Sequence, residues 1–133
     1  MQPEPRIRVL LADDDPRFLA ALGFALEPWR EIEIVGLAQD GAEAIALFAE
    51  TRLDVAIIDL AMPRGDGVEV TAAVRQLDRD ATVLIISGEE DGRTLVHCLD
   101  VGARGCLRKT RGLLDYAAVT IAATGAVKPG ERT

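Results

Sequence analysis

Four places along the 133-residue chain hold side chains that could do chemistry together. Asp13, Asp14 and Asp15 follow the apolar run Val9-Leu10-Leu11-Ala12. Asp59 closes Val55-Ala56-Ile57-Ile58, Ser87 closes Thr82–Ile86, and Lys109 follows Gly105-Cys106-Leu107-Arg108. Grouped carboxylates repel one another, so such a cluster is costly unless a cation sits in it. An all-oxygen donor set suits Mg²⁺, which binds through one or two carboxylates and keeps waters and phosphate oxygens. A carboxylate can also act as a nucleophile and carry an aspartyl phosphate. Phosphoryl transfer demands positive charge on the developing equatorial oxygens, and a metal, the Lys109 ammonium and the Ser87 hydroxyl would supply it. Asp15 is read apart from the cluster: it stands before Pro16, as a helix cap does.

The elements that must bring these residues together are legible in the hydrophobic pattern. Strand-like runs occur at Ile7–Ala12, Ile32–Leu37, Val55–Ile58, Thr82–Ile86 and, more weakly, Gly105–Leu107. Three of them are almost unbroken in β-branched residues and leucine, the pattern of strands buried on both faces of a parallel sheet. Between them lie stretches with helical spacing. Phe18, Leu22, Ala25 and Leu26 share a face in the first, and Ala44, Ile45, Leu47 and Phe48 cluster in the second. Others run near Asp66–Leu77, Gly92–Val101 and Leu113–Thr124. Asp40 before Gly41-Ala42-Glu43 is a second cap signal, and Gly36, Gly102 and Gly125 are expected at element ends. Strand and helix alternate five times, which predicts an α/β doubly wound (βα)5 domain around a parallel sheet. Ligands of such sheets bind at the carboxyl ends of the strands, where Asp13, Asp14, Asp59, Ser87 and Lys109 all fall. Residues 125–133, GAVKPGERT, read as a tail or the start of a linker.

Composition removes several classes. The length suits one domain and buries roughly two-thirds of the unfolded surface, so neither disulfides nor a structural metal is needed. Hydrophobic residues make up 49% and charged residues 28%, and no run approaches the roughly 18–20 apolar residues of a membrane span. The amino terminus has no apolar stretch before a cleavage site, so the chain reads as unsecreted and cytoplasmic. With 15 basic and 22 acidic side chains the formal charge is −7, which argues against direct nucleic-acid binding by this chain. Cys98 and Cys106 are too few and too poorly spaced for a zinc site and read as reduced thiols. His97 is placed on a helix face with no role.

The segments Val9–Pro16, Val55–Gly67 (VAIIDLAMPRGDG), Val83–Gly88 and Gly102–Thr110 resemble the receiver domain of bacterial two-component response regulators. The likeness runs from about residue 6 to 124, and implies a receiver domain over 1–124. Val35–Glu69 is most similar to receivers that precede helix-turn-helix transcription modules of the LuxR/NarL kind. The resemblance implies a flavodoxin-like five-stranded sheet of order 2-1-3-4-5. It implies that Asp59 accepts a phosphoryl group from a sensor histidine kinase, with Mg²⁺ as cofactor. Asp14 would hold the metal directly and Asp13 through water, with Asp59 and the Ala61 carbonyl as further ligands. Ser87 would be the hydroxyl that moves toward the phosphoryl group, and Lys109 would pair with it. The chain would be a signalling switch, catalysing only its own phosphorylation and dephosphorylation and controlling an output, transcription by the same likeness.

Two positions depart from the family pattern. Cys106 stands where an aromatic residue usually follows the switch hydroxyl, and Thr110 stands where proline often follows the lysine. A cis bond before a non-proline residue costs about 2.5–4 kcal/mol, so a trans bond is expected there. The conformational signal is expected in Ser87–Val101 and strand 5, since an added phosphoryl of roughly −1.5 to −2 charges acts locally until a bistable element reads it. The fifth helix, with Asp115 its one charge from Leu113 to Thr124, carries more apolar surface than one buried stripe needs and suggests an interface, with a homodimer partner or an adjoining domain. Cys106 keeps open an alternative reading, an interaction module that works without phosphorylation, against which the intact acidic pair, Asp59, Ser87 and Lys109 count. An aspartyl-phosphate hydrolase is disfavoured because Ala61 occupies the place of that class's second aspartate.

Overall fold

The computed structural model describes residues 6–88, 92–109 and Thr120, with Thr94 and Leu95 by their backbone alone. The elements in order are β1 (Ile7–Ala12), α1 (Pro16–Leu26), β2 (Ile32–Ala38), α2 (Gly41–Glu50), β3 (Val55–Asp59), α3 (Gly67–Leu77), β4 (Thr82–Ser87), α4 (Gly92–Asp100) and β5 (Gly105–Arg108). All strand pairs are parallel, in the order β2-β1-β3-β4-β5. The expected α/β class and sheet order are therefore present. The fifth helix, its dimer face, Thr110 and the tail fall on residues outside those described, Thr120 excepted.

Strand alternation divides the interior in two. Val9, Leu11, Val55, Ile57, Leu84 and Ile86 pack with Leu19, Leu22 and Leu26 of α1. Their neighbours Leu10, Ala12, Ala56, Ile58, Val83 and Ile85 pack on the other face with Phe48 of α2, Val70 and Val74 of α3 and Cys98 of α4. Every residue of β3 and β4 is buried, which explains their unbroken apolar sequences. The caps form as expected: Asp15 accepts from the Arg17 N–H and Asp40 from the Glu43 N–H. Asp66 lies one residue outside α3 and caps it through the Glu69 N–H. Gly102, with φ +116°, follows α4.

Gly36 differs from expectation. It lies inside β2, opposite Leu10, while Val9 pairs with Ile34, so Val35 is an extra residue at a bulge. A Cβ at Gly36 would sit 3.1 Å from Leu10 Cδ1 and 3.4 Å from Leu47 Cδ1. The glycine answers close packing here, which a pattern of element ends does not report.

The loop from Leu60 to Asp66 is held against the start of α2. The Gly41 N–H donates to the Pro63 carbonyl at 3.1 Å. Arg64 (φ +57°) and Gly65 (φ +124°) both adopt left-handed backbone, and a Cβ on Gly41 would lie 2.1 Å from the Gly65 carbonyl oxygen. This contact requires glycine. Gly41→Ala is expected to lose about 1–3 kcal/mol in urea unfolding. Gly92→Ala, where a Cβ meets nothing within 4 Å, should stay within about 0.5 kcal/mol. Equal stability of the two variants would contradict the packing.

Candidate functional site

Three strand ends build an acidic pocket on the α1 side of the sheet. Asp13 lies two residues beyond Leu11, Asp59 two beyond Ile57 and Lys109 two beyond Leu107. All three apolar predecessors belong to the α1-side core, so the period of two carries the polar groups to the same face. Asp13 is fully buried and Asp59 only 4% exposed. Lys109 Nζ lies 2.7 Å from Asp13 Oδ2 and 3.3 Å from Asp59 Oδ2, bridging the two carboxylates.

The supports come from neighbouring backbone. Asp13 Oδ1 accepts the Asp15 N–H at 2.8 Å, and the Asp13 N–H donates to the Ala38 carbonyl at 3.0 Å. The pocket is thus tied to the cap of α1 and the end of β2. Beyond Asp59, the Leu60 N–H donates to Ile86 O and the Gly67 N–H to Leu60 O, both at 2.8 Å. Those bonds fix the loop that carries Ala61. Ser87 is buried at the end of β4, and its carbonyl accepts the Lys109 N–H at 3.0 Å.

The electrostatics follow from burial. Asp59 is pushed up to about 6, first by removal from water and then by the charge of Asp13; Lys109 and the Ala61 N–H only partly offset this. For Lys109, burial works against the charged form, but its bonds to Asp13 and Asp59 outweigh it and hold the ammonium above its ordinary value. Asp14 is exposed beside the pair, and Asp13, Asp14 and Asp59 each offer an oxygen within 4.8 Å of the others. Ionised, these three carboxylates and one ammonium leave two negative charges, matched in size and donor chemistry to a divalent oxygen-seeking cation.

Of the residues singled out from sequence, Asp13, Asp59 and Lys109 are in contact, Asp14 offers an oxygen within 4.8 Å of the two acids, and Ser87 and Ala61 stand at the adjoining strand end and loop. His97 is exposed on α4, and Arg104 and Arg108 are exposed around β5. Cys98 is buried in the core, which raises its thiol to about 11 and keeps it protonated. Cys106 is exposed on β5. One participant was not visible beforehand. Phe18, counted in sequence as part of the apolar stripe of α1, places its ring centroid 4.9 Å from Lys109 Nζ.

The family model of the response regulator receiver domain matches residues 9–117. The chain belongs to this family. A relative named "Probable transcriptional regulatory protein NarL", from Mycobacterium tuberculosis, is 39% identical over 108 residues, 81% of this chain and 50% of its own length. The transcriptional regulatory protein LiaR of Bacillus subtilis is 32% identical over 123 residues, 92% of this chain and 58% of its own length. The solved receiver domain of the response regulator NarL from Mycobacterium tuberculosis superimposes with a TM-score of 0.87 at 32% identity, covering 92% of this chain and 98% of that one. The chain therefore spans roughly half the length of the curated relatives it matches. The receiver has no helix, among the described residues, long and apolar enough to cross a membrane.

The raised Asp59 has a consequence for the metal-free receiver. A carboxyl that is easier to protonate folded than unfolded adds stability below its unfolded value near 3.8, and that stability is lost as pH rises through about 6. Asp59→Asn is therefore expected to stabilise the EDTA-treated protein by about 1–3 kcal/mol at pH 7.5. The gain should shrink toward zero by about pH 4. Urea unfolding at both pH values checks it, and a pH-independent difference would refute the electrostatic account.

Proposed function

We propose that Asp59 is the phosphoacceptor of this receiver and that a sensor histidine kinase is its donor. The observation that carries the reading is the buried Asp13–Lys109–Asp59 bridge at the carboxyl edge of the sheet. In the transfer, an Asp59 carboxylate oxygen attacks phosphorus, a P–O bond forms and the donor's P–N bond breaks, leaving an acyl phosphate on Asp59. Asp13, Asp14, Asp59 and the Ala61 carbonyl would hold Mg²⁺, which when bound supplies neutralising charge to the phosphoryl oxygens.

The protein's own groups do the rest. Burial strips water from Asp59, and Lys109 donates to its carboxylate at 3.3 Å. Lys109 touches both Asp13 and Asp59, so its ammonium can exchange a carboxylate partner for a phosphoryl oxygen by side-chain rotation alone. Ser87, at the neighbouring strand end, would donate its hydroxyl to the same group and so report the modification to the loop ahead of α4. Because Cys106 lacks an aromatic ring, that report would travel through the backbone of this loop and of β5. The matched relatives are named as transcriptional regulators, and transcription is the output proposed for the full-length protein, exerted through a segment other than this one.

Intact mass after incubation with Mg²⁺ and a small-molecule phosphodonor tests the assignment. One phosphoryl is expected on the wild type and none on Asp59→Asn or with EDTA present. Asp14→Asn should raise the half-saturating Mg²⁺ concentration about tenfold, equivalent to about 1.4 kcal/mol. An unmodified wild type would instead support a phosphorylation-independent interaction module.

A further inference from the structure

Lys109 supplies the positive charge of the pocket, in contact with Asp13 and Asp59. Its side chain is 24% exposed despite those two contacts. The ring of Phe18 supplies another contact, 4.9 Å from Nζ to centroid, inside the range in which an aromatic face attracts a cation. The ring is placed for this by the same elements that build the pocket. Phe18 stands in the first turn of α1, whose cap Asp15 is bonded to Asp13. It is half-buried against the α1-side core, the cluster on which Leu107 of β5, two residues before Lys109, also packs.

We propose that Phe18 is a positioning residue for phosphoryl transfer: the face of its ring holds the Lys109 ammonium over the acidic pocket. This deepens the proposed function and rests on its assignment of Lys109. An aliphatic side chain of similar size would fill the core yet offer no electron-rich face. When the lysine trades a carboxylate for a phosphoryl oxygen, the ring contact keeps the ammonium from swinging into solvent.

The test replaces Phe18 with 4-fluoro-, 3,5-difluoro- and pentafluorophenylalanine, which keep the ring's shape while draining its face of negative charge. Phosphorylation by a small-molecule donor at saturating Mg²⁺, read by intact mass, is expected to slow stepwise, by about threefold to tenfold across the series. A purely apolar ring would give no such trend, because fluorination does not make it less apolar. Unchanged rates across the series, with a phosphorylated wild type, would overturn the inference and leave the proposed function standing. An unphosphorylated wild type would overturn that function instead. The ring's hold on the lysine is then still decided by urea unfolding of the metal-free protein. Fluorination should lower the midpoint when Lys109 is present and leave it unchanged in the Lys109→Met background. Equal effects in both backgrounds would refute the contact. If the pentafluoro variant fails to fold, the two milder substitutions decide the trend.

Discussion

Asp13 and Asp59 are buried carboxylates whose charges oppose each other, and the Lys109 ammonium between them is what makes their burial tolerable. The rest of the site is arranged around that conflict. The lysine reaches both acids from β5, on the far side of β4 from β3, so the bridge joins strands that do not touch as neighbours. A site held by opposed charges is also responsive. A divalent cation or a phosphoryl group changes which oxygen the ammonium serves, and the change is felt at once on three strands.

The sheet makes such a bridge possible because its rigidity is independent of the site. Two apolar clusters, one on each face, fix the strands through residues that carry no charge. The period of two then delivers Asp13, Asp59 and Lys109 to the same face without further instruction. Where the chain leaves the strands, backbone bonds take over. Leu60, Gly67 and Lys109 are each tied to a neighbouring strand end or loop, and the Gly41–Gly65 contact locks the loop behind Asp59 to α2. The destabilised charges are thus confined to a small region of a well-packed molecule, the usual place for a functional group to be held at a cost to stability.

Much of this was legible in the residue pattern. Continuous runs such as VAIID and TVLIIS announce strands buried on both faces, and the alternation of period two with period 3.6 announces a parallel sheet. Asp40 and Asp15 mark helix starts because a short polar side chain can satisfy free N–H groups there, a local effect that needs no tertiary contact. The pocket's acids and lysine were found for the same reason: each follows a strand, and open parallel sheets gather strand ends along one edge.

Tertiary structure decided what depends on distance between elements remote in sequence. Gly36 looked like an element end but answers the side chains of Leu10 and Leu47, and no local signal separates a glycine that turns the chain from one that admits a neighbour. Phe18 looked like one more apolar residue on the stripe of α1, because its helix spacing is the same whether it faces leucine or an ammonium. Only the fold brings Lys109, far along the chain, over its ring. The same holds for the charge state of Asp59. Its sequence neighbours show that it is an aspartate after a strand, while its rise to about 6 comes from burial and from Asp13 across the β1–β3 ladder. Local periodicity thus determined the elements, the caps and the edge where the chemistry gathers. Packing determined which side chains share a face there and which charges feel each other, since both fall off with through-space separation, which sequence does not state.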